Sequence, residues 1–394
     1  MDFGLSPDQI DLRDAVRRVA RRDLAPGYLE RAKSTEFPWE AYRRIARLGV
    51  LGLLAGPEHN PLDREDHVAA GLAVEELAYA DFNLANAVIP VLLTSSLIAR
   101  SGTAWMRERW LARLVGGETY LAFGLTEPHS GSDAAALRTT ATADGDGYLL
   151  TGEKTSVTML AHAEAMLVTA QTVRDGVSLG VSGFLVDLSA HGIATSGIPD
   201  TGWRPMGRGI VHFDDVRVPA SARIGAEGAA FRSVLAGFDF TRPLLALTGI
   251  GCAHACVDQT ASYVADREAF DAPLASFEGV SFPLAEHSTT LEAARLLCYA
   301  ALWLRDEQRP HSAEASMSKW YGPLVASAAV KDCLLLHGHY GYAEEFGLEQ
   351  RLRDVMAVEI ADGTAQVQKI VIARERFGRD FVPYGKRPAV GRPR

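Results

Sequence analysis

Residues 358–369, VEIADGTAQVQK, set one carboxylate, Asp362, between an apolar run and the start of a helical pattern. Asp is a favoured helix cap, and its charge meets the dipole of a helix N-terminus favourably. The other reading is a base that takes a proton from a substrate, which needs a carboxylate fixed in a dry pocket. The segment TEPHSGSD, residues 126–133, is short and polar and follows a strand-like run. Its amides and hydroxyls can donate to a ligand, or can close a Ser/Gly turn on themselves. Asp239 and Arg242 in FDFTR stand three apart, the spacing of an i,i+3 ion pair on a helix. His337 and His339 form an HxH pair, but on a helix the two side chains diverge by about 200°, with no carboxylate partner in view, so no metal site is expected. Cys252, Cys256, Cys298 and Cys333 lack the paired CxxC spacing of a zinc site and are expected to be reduced and buried.

These groups need a large scaffold. The chain has 394 residues, 47% of them hydrophobic, enough for two or three packed units. A formal net charge of -9, with both signs interspersed, excludes the clustered basic face of a nucleic-acid binder. The N-terminal residues lack the basic-then-apolar order of a secretory signal. No run is expected to supply the ~18 uncharged apolar residues of a membrane span, so a cytoplasmic chain is expected.

Ser6, Pro7 and Gln9 in SPDQ make a helix start with a capping box. Helical periodicity continues through WEAYRRIARLG, HVAAGLAVEELAYA and WMRERWLARLVGG, giving a helical layer over residues 1–117. From Tyr120 the pattern changes to short runs rich in Val, Thr and aromatics: YLAFGL, LRTTATA, YLLTG, TSVT, AMLVTAQT, VSGFLVDL and IVHFDDVRV. Turns such as ADGDG separate them, so residues 118–227 read as a small β-barrel or sandwich. Without a GxGxxG turn or alternating long helices, a Rossmann fold is not expected. Long amphipathic helices return over roughly 229–266, 277–305, 312–338 and 365–377, a four-helix bundle within residues 228–381. Residues 382–394 read as a disordered tail. The fold class is therefore α+β.

The residues at the joints are specific. FGLTEPHSGSD (123–133), GYLLTGEKTSVT (147–158), FDDVRVP (213–219), GFDFTRPLLALTGIG (237–251), YVADREAF (263–270) and DGTAQVQKIVIARE (362–375) resemble, in order and spacing, the signatures of the acyl-CoA dehydrogenases. The resemblance covers essentially the whole chain. It implies FAD held between the β unit and the bundle, desaturation of an acyl-CoA or acyl carrier protein thioester between its α and β carbons, and reoxidation by an electron-transfer flavoprotein. It also implies a homotetramer, or a homodimer.

Carried over residue by residue, the resemblance assigns the flavin ring to Phe123, Leu125, Thr126, Gly131, Ser132, Ser156 and Thr158. The remainder of FAD falls to Arg267, Phe270, Phe277, Glu278, Leu335, His339, Thr364 and Gln366. Arg267 would reach the diphosphate of a neighbouring subunit, a task suited to a planar charged fork, unless it pairs locally with Asp266 or Glu268. The thioester falls to Ser132, Asp239, Arg242, Ala361 and Gly363, with Asp81 either on the acyl side or simply a helix end. Asp362 stands where the family has its glutamate base, and Thr241 stands at the family's alternative base position, where it cannot serve.

The departures are informative. Ser156 replaces an aromatic that shields the flavin, and Ala361 replaces a tyrosine, so a bulkier, cyclic or branched acyl group is expected. Glu278, Leu335 and His339 replace residues at the adenine end, and an acidic Glu278 would repel a diphosphate. The alternatives are a flavin oxidase of the same fold, similar to acyl-CoA or nitroalkane oxidases, and a non-catalytic homologue.

Overall fold

The computed structural model describes residues 4–378. The tail expected at 382–394 lies outside the described residues. The N-terminal helices are α1 (Pro7–Val19), α2 (Tyr28–Lys33), α3 (Trp39–Ala46), α4 (His67–Ala80), α5 (Phe82–Ser101), α6 (Ala104–Met106) and α7 (Ala112–Val115). The predicted capping box is present: Ser6 Oγ accepts from the Gln9 amide, and the Gln9 side chain accepts from the Ser6 amide.

The middle strands are β1 (Leu121–Gly124), β2 (Thr140–Asp144), β3 (Gly147–Val157), β4 (Ala165–Arg174), β5 (Val177–Asp187), β6 (Ile193–Gly197), β7 (Gly209–Pro219) and β8 (Arg223–Ile224). They form one mixed sheet in the order β6-β7-β3-β2-β4-β5-β8, with β1 parallel to β4. YLLTG and TSVT, read as separate runs, are one strand. Its register against β7 shifts twice, after Leu150 and after Lys154. At the first shift Gly152 has φ 143°, and a Cβ there would lie 2.7 Å from the Thr139 backbone, so only glycine carries the strand past that contact.

The C-terminal part contains α8 (Ala230–Asp266), a short hairpin of β9 (Glu268–Ala269) and β10 (Ala272–Pro273), then α9 (Glu278–Asp306), α10 (Ser312–Leu336), α11 (Leu348–Val358) and α12 (Ala365–Phe377). The four long helices match the sequence reading; α11 is additional. Its inward positions include the fully buried Gln350 and Asp354, so it shows no continuous apolar stripe. Helices α4 and α8 pack closely, since a Cβ on Gly251 would come within 2.5 Å of the Glu75 carbonyl oxygen.

One apolar core runs through the N-terminal helices and the bundle together, from Val16 and Leu77 to Leu247 and Val330. The sheet has its own core around Tyr148, Phe184, Val211 and Phe213. Contrary to the sequence expectation, α5 and residues 236–266 of α8 are long and apolar enough to cross a bilayer by composition. Their most apolar windows are 78% and 94% buried within the protein, which accounts for the apolarity as core packing.

Candidate active site

Asp362 lies in the turn between α11 and α12. It is not the cap of α12: Thr364 holds that position. Asp362 has φ 51°, in the left-handed region, and is followed by Gly363 at φ 97°. This turn brings the carboxylate back toward α8, where Oδ2 accepts a hydrogen bond from Thr241 Oγ1 at 2.7 Å. Two side chains fix the surrounding backbone. Gln368 Nε2 donates to the carbonyls of Asp362 (2.9 Å) and Gly363 (3.0 Å). Lys319 Nζ, on α10, donates to Val358 O (2.6 Å) and Gly363 O (3.3 Å).

Lys319 is 1% exposed, and burial pulls it down to about 8 against the opposing attraction of Asp362. Arg242 is buried beside the same group. Its Nη1 donates to Asp239 Oδ1 at 2.7 Å, forming the expected i,i+3 pair, and Asp239 Oδ2 accepts from Ser312 Oγ at 2.5 Å. Arg242 Nε is buried with no acceptor among the described residues. Thus Thr241, Arg242, Asp239, Gly363 and Asp362 are brought together, with Ala361 packed at the edge of the core.

The TEPHSGSD loop is held from below by a buried ion pair. Lys154 Nζ, with no exposed surface, lies 2.7 Å from Glu127 Oε1 and donates to Leu125 O at 3.1 Å. Glu127 also accepts from the amides of Arg138 (2.7 Å) and Thr139 (3.0 Å). Burial lowers Lys154 to about 8. Burial alone would raise Glu127, but the hydrogen bonds outweigh it and leave the carboxylate below its ordinary value. Ser130 Oγ donates to Asp133 O, so the turn does close partly on its own hydroxyl. Thr126 and Thr158 are half-buried and Ser132 is exposed.

Ser156 is also in the left-handed region, at φ 56°, and its Oγ accepts from Arg208 Nη1 at 3.1 Å. The guanidinium is clamped by both carboxylate oxygens of Asp200. An arginine therefore stands against Ser156.

Near Phe123 a cavity of about 210 Å³ opens between α5, the sheet and the start of α8, lined by Leu97, Phe123, Leu167, Thr169, Gly183 and Val234 among others. Of the remaining predicted positions, five lie far from Asp362 in the sequence and on the outside of the bundle. Arg267, Phe270, Glu278, Leu335 and His339 are exposed, Phe270 by 92%; Phe277 meets Phe270 edge-on with ring centroids 6.2 Å apart. Arg267 forms neither local ion pair with Asp266 nor with Glu268 among the described residues. Gln366 is exposed and Thr364 half-buried.

Asp81 is corrected from a thioester contact to a structural residue. It is 1% exposed, caps α5 through the Leu84 amide at 3.1 Å and pairs with Arg31 at 2.8 Å. The two histidines also separate: His337 is buried and stacked on Tyr263, with centroids 4.2 Å apart, whereas His339 lies against Tyr340. No group of three metal-ligating side chains occurs among the described residues.

Models of the acyl-CoA dehydrogenase N-terminal, middle and C-terminal domains match residues 6–118, 122–216 and 228–377. The chain belongs to the acyl-CoA dehydrogenase family. It is 33% identical to the probable acyl-CoA dehydrogenase YngJ of Bacillus subtilis, over 95% of this chain and 99% of that one. It is 32% identical to the caffeyl-CoA reductase-Etf complex subunit CarC of Acetobacterium woodii, over 92% and 96%. The structure of butyryl-CoA dehydrogenase from Megasphaera elsdenii superimposes with a TM-score of 0.89 at 30% identity, over 95% of this chain and all of that one. As an acyl-CoA dehydrogenase the chain is an oxidoreductase acting on a CH–CH bond.

Sequence reading missed Glu127, Lys154, Arg208, Lys319 and Gln368. Lys154 had a signal, because period-2 alternation from Leu150 through Gly152 directs it inward. Lys319 had one too: it is the lone charge between Ser316 and Val330 on an otherwise apolar and small helix segment.

Proposed function

We propose that this acyl-CoA dehydrogenase desaturates an acyl thioester with Asp362 as the base that removes the α-proton. The observation that carries the reading is the direction of the Asp362 carboxylate. It turns away from the helix it precedes and meets Thr241, the alternative base position in the family resemblance, at 2.7 Å. Asp is shorter than Glu by one C–C bond, about 1.5 Å, so the α-carbon must approach more closely.

FAD, when bound, would supply the hydride acceptor. The chain fits it. Among the described residues the hydroxyls of Thr126, Ser132 and Thr158 bond to no other residue, leaving three donors for a ring with carbonyl and N5 acceptors. A Cβ on Gly131 would meet only Thr126 Cγ2, at 4.0 Å, so the loop leaves room beside them. The guanidinium of Arg267, in no ion pair with Asp266 or Glu268 among the described residues, suits a diphosphate. The family resemblance supports a homotetramer in which that arginine serves a neighbouring subunit.

The small side chains Ala361 and Ser156 favour a bulky acyl group, cyclic, branched or aryl-bearing. The relative named for caffeyl-CoA, a subunit of a complex with Etf, supports both an aryl thioester and an electron-transfer flavoprotein partner. Anaerobic bleaching of the flavin against a thioester panel tests this. Cyclohexanecarboxyl-CoA and 3-arylpropionyl-CoA should reduce it faster than butyryl-CoA; the reverse order rejects the bulky-substrate reading. A second reading, an oxidase, is favoured by the exposed Ser156 at the shielding position, and stoichiometric hydrogen peroxide would select it. A colourless protein that takes up no added FAD would leave only the non-catalytic alternative.

A further inference from the structure

Lys319 is a buried ammonium whose hydrogen bonds, among the described residues, go to carbonyl oxygens alone. Its Nζ bridges Val358 O, the last residue of α11, and Gly363 O, the residue after Asp362. These two acceptors bracket the turn. The turn itself holds Asp362 at φ 51°, a conformation a non-glycine residue adopts at a cost, and such a residue stays there only where its surroundings enforce it. Gln368 fixes the turn from α12, and Thr241 fixes the carboxylate from α8. Beside the backbone bond from the Ala361 amide to Ala357 O, Lys319 is the side chain among the described residues that ties the far end, on α11, to the near end. No carboxylate lies within ion-pair distance of Nζ among the described residues, so an ordinary buried ion pair does not account for the lysine.

We propose that Lys319 is the positioning residue for the proton-abstracting carboxylate, cross-tying the 358–363 turn so that Asp362 is presented to the substrate α-carbon. This rests on the reading of Asp362 as base. Without the tie the carboxylate is still present but is spread over several orientations, and misplacement by about 1 Å is enough to cost on the order of 100-fold in rate.

The test uses the FAD-loaded enzyme and phenylacetyl-CoA, whose α-carbon carries hydrogens while its β-carbon, an aromatic ring carbon, has none to surrender. Exchange of the α-hydrogens in deuterated water, followed by proton NMR, reads proton abstraction apart from hydride transfer. Lys319→Met should slow exchange at least tenfold while flavin absorbance and the Kd for the thioester stay within twofold. Lys319→Gln, which keeps N–H donors but is shorter and uncharged, should also slow exchange, by less. If Lys319→Met does not fold, the glutamine variant is judged alone, a threefold loss at constant Kd supporting the proposal. Exchange at the wild-type rate, or a loss matched by an equal loss of affinity, overturns it. Absence of exchange in the wild type, or its survival in Asp362→Asn, instead sinks the base reading itself.

Discussion

At the scale of the residue, Asp362 shows what a local pattern can and cannot reveal. Its type and its place before a helical run were legible; its direction was not, because the deciding contact is with Thr241, 121 residues away. A left-handed φ at Asp362 also leaves no periodic trace, since Asp tolerates that region without requiring it. The consequence is sharp for mutation. Asp362→Asn keeps the shape and the Thr241 contact but removes the proton acceptor, so anaerobic flavin reduction by a good thioester should fall by about 10²–10⁴-fold with FAD still bound. Stopped-flow absorbance measures this, and a loss of less than tenfold would move the base elsewhere. The departure at Ser156 was legible as a missing ring, whereas its hydrogen bond from Arg208 was not, because Arg208 arrives from the segment before β7.

At the scale of the element, the ion pair under the TEPHSGSD loop ties β3 to the segment that follows β1. Removing one partner leaves the other charge buried and uncompensated, a loss of roughly 3–5 kcal/mol. Lys154→Met should therefore lower the melting temperature and release flavin, seen as a rise in free-FAD fluorescence on dilution; a variant that stays yellow and equally stable would deny the loop its anchor. Lys154 and Lys319 also make a prediction about pH. Both lie at about 8 in the folded protein, below the 10.5 of an unperturbed lysine. Between those values the unfolded chain binds more protons than the folded one, so their contribution to stability rises with pH through that window. Urea midpoints for wild type and Lys319→Met, compared at about pH 7.5 and about pH 9.5, should shift in favour of the wild type at the higher pH. Long helices with apolar stripes were legible in the sequence. Helix α11 was not, because its buried face is partly polar; β6 was not because nearly all of it is exposed and no apolar alternation marks it, and β8 has only two residues.

At the scale of the whole molecule, Asp354 joins parts that the sequence keeps far apart. It is fully buried on α11, accepts from Tyr28 Oη at 2.8 Å, from the Trp203 amide at 2.9 Å and from Gln350 at 3.1 Å, while its carbonyl takes the Trp203 indole N–H at 2.8 Å. Asp354→Ala strands these donors together and should cost about 3–5 kcal/mol, read as a lower urea midpoint. A loss below about 1 kcal/mol would mean that water replaces the carboxylate. The order of helical layer, β unit and bundle was legible from periodicity and composition. That the two helical parts share one interior was not, because it depends on contacts such as Gly251 against Glu75 between distant segments. The sheet keeps a core of its own on one side, while Leu121, Leu167 and Leu185 join the helical interior on the other, so it is a second body seated on the first. A flavin lying between them would act as a rivet: heating the apoprotein should give two calorimetric endotherms, one for each body, and loading with FAD should merge them into one at higher temperature.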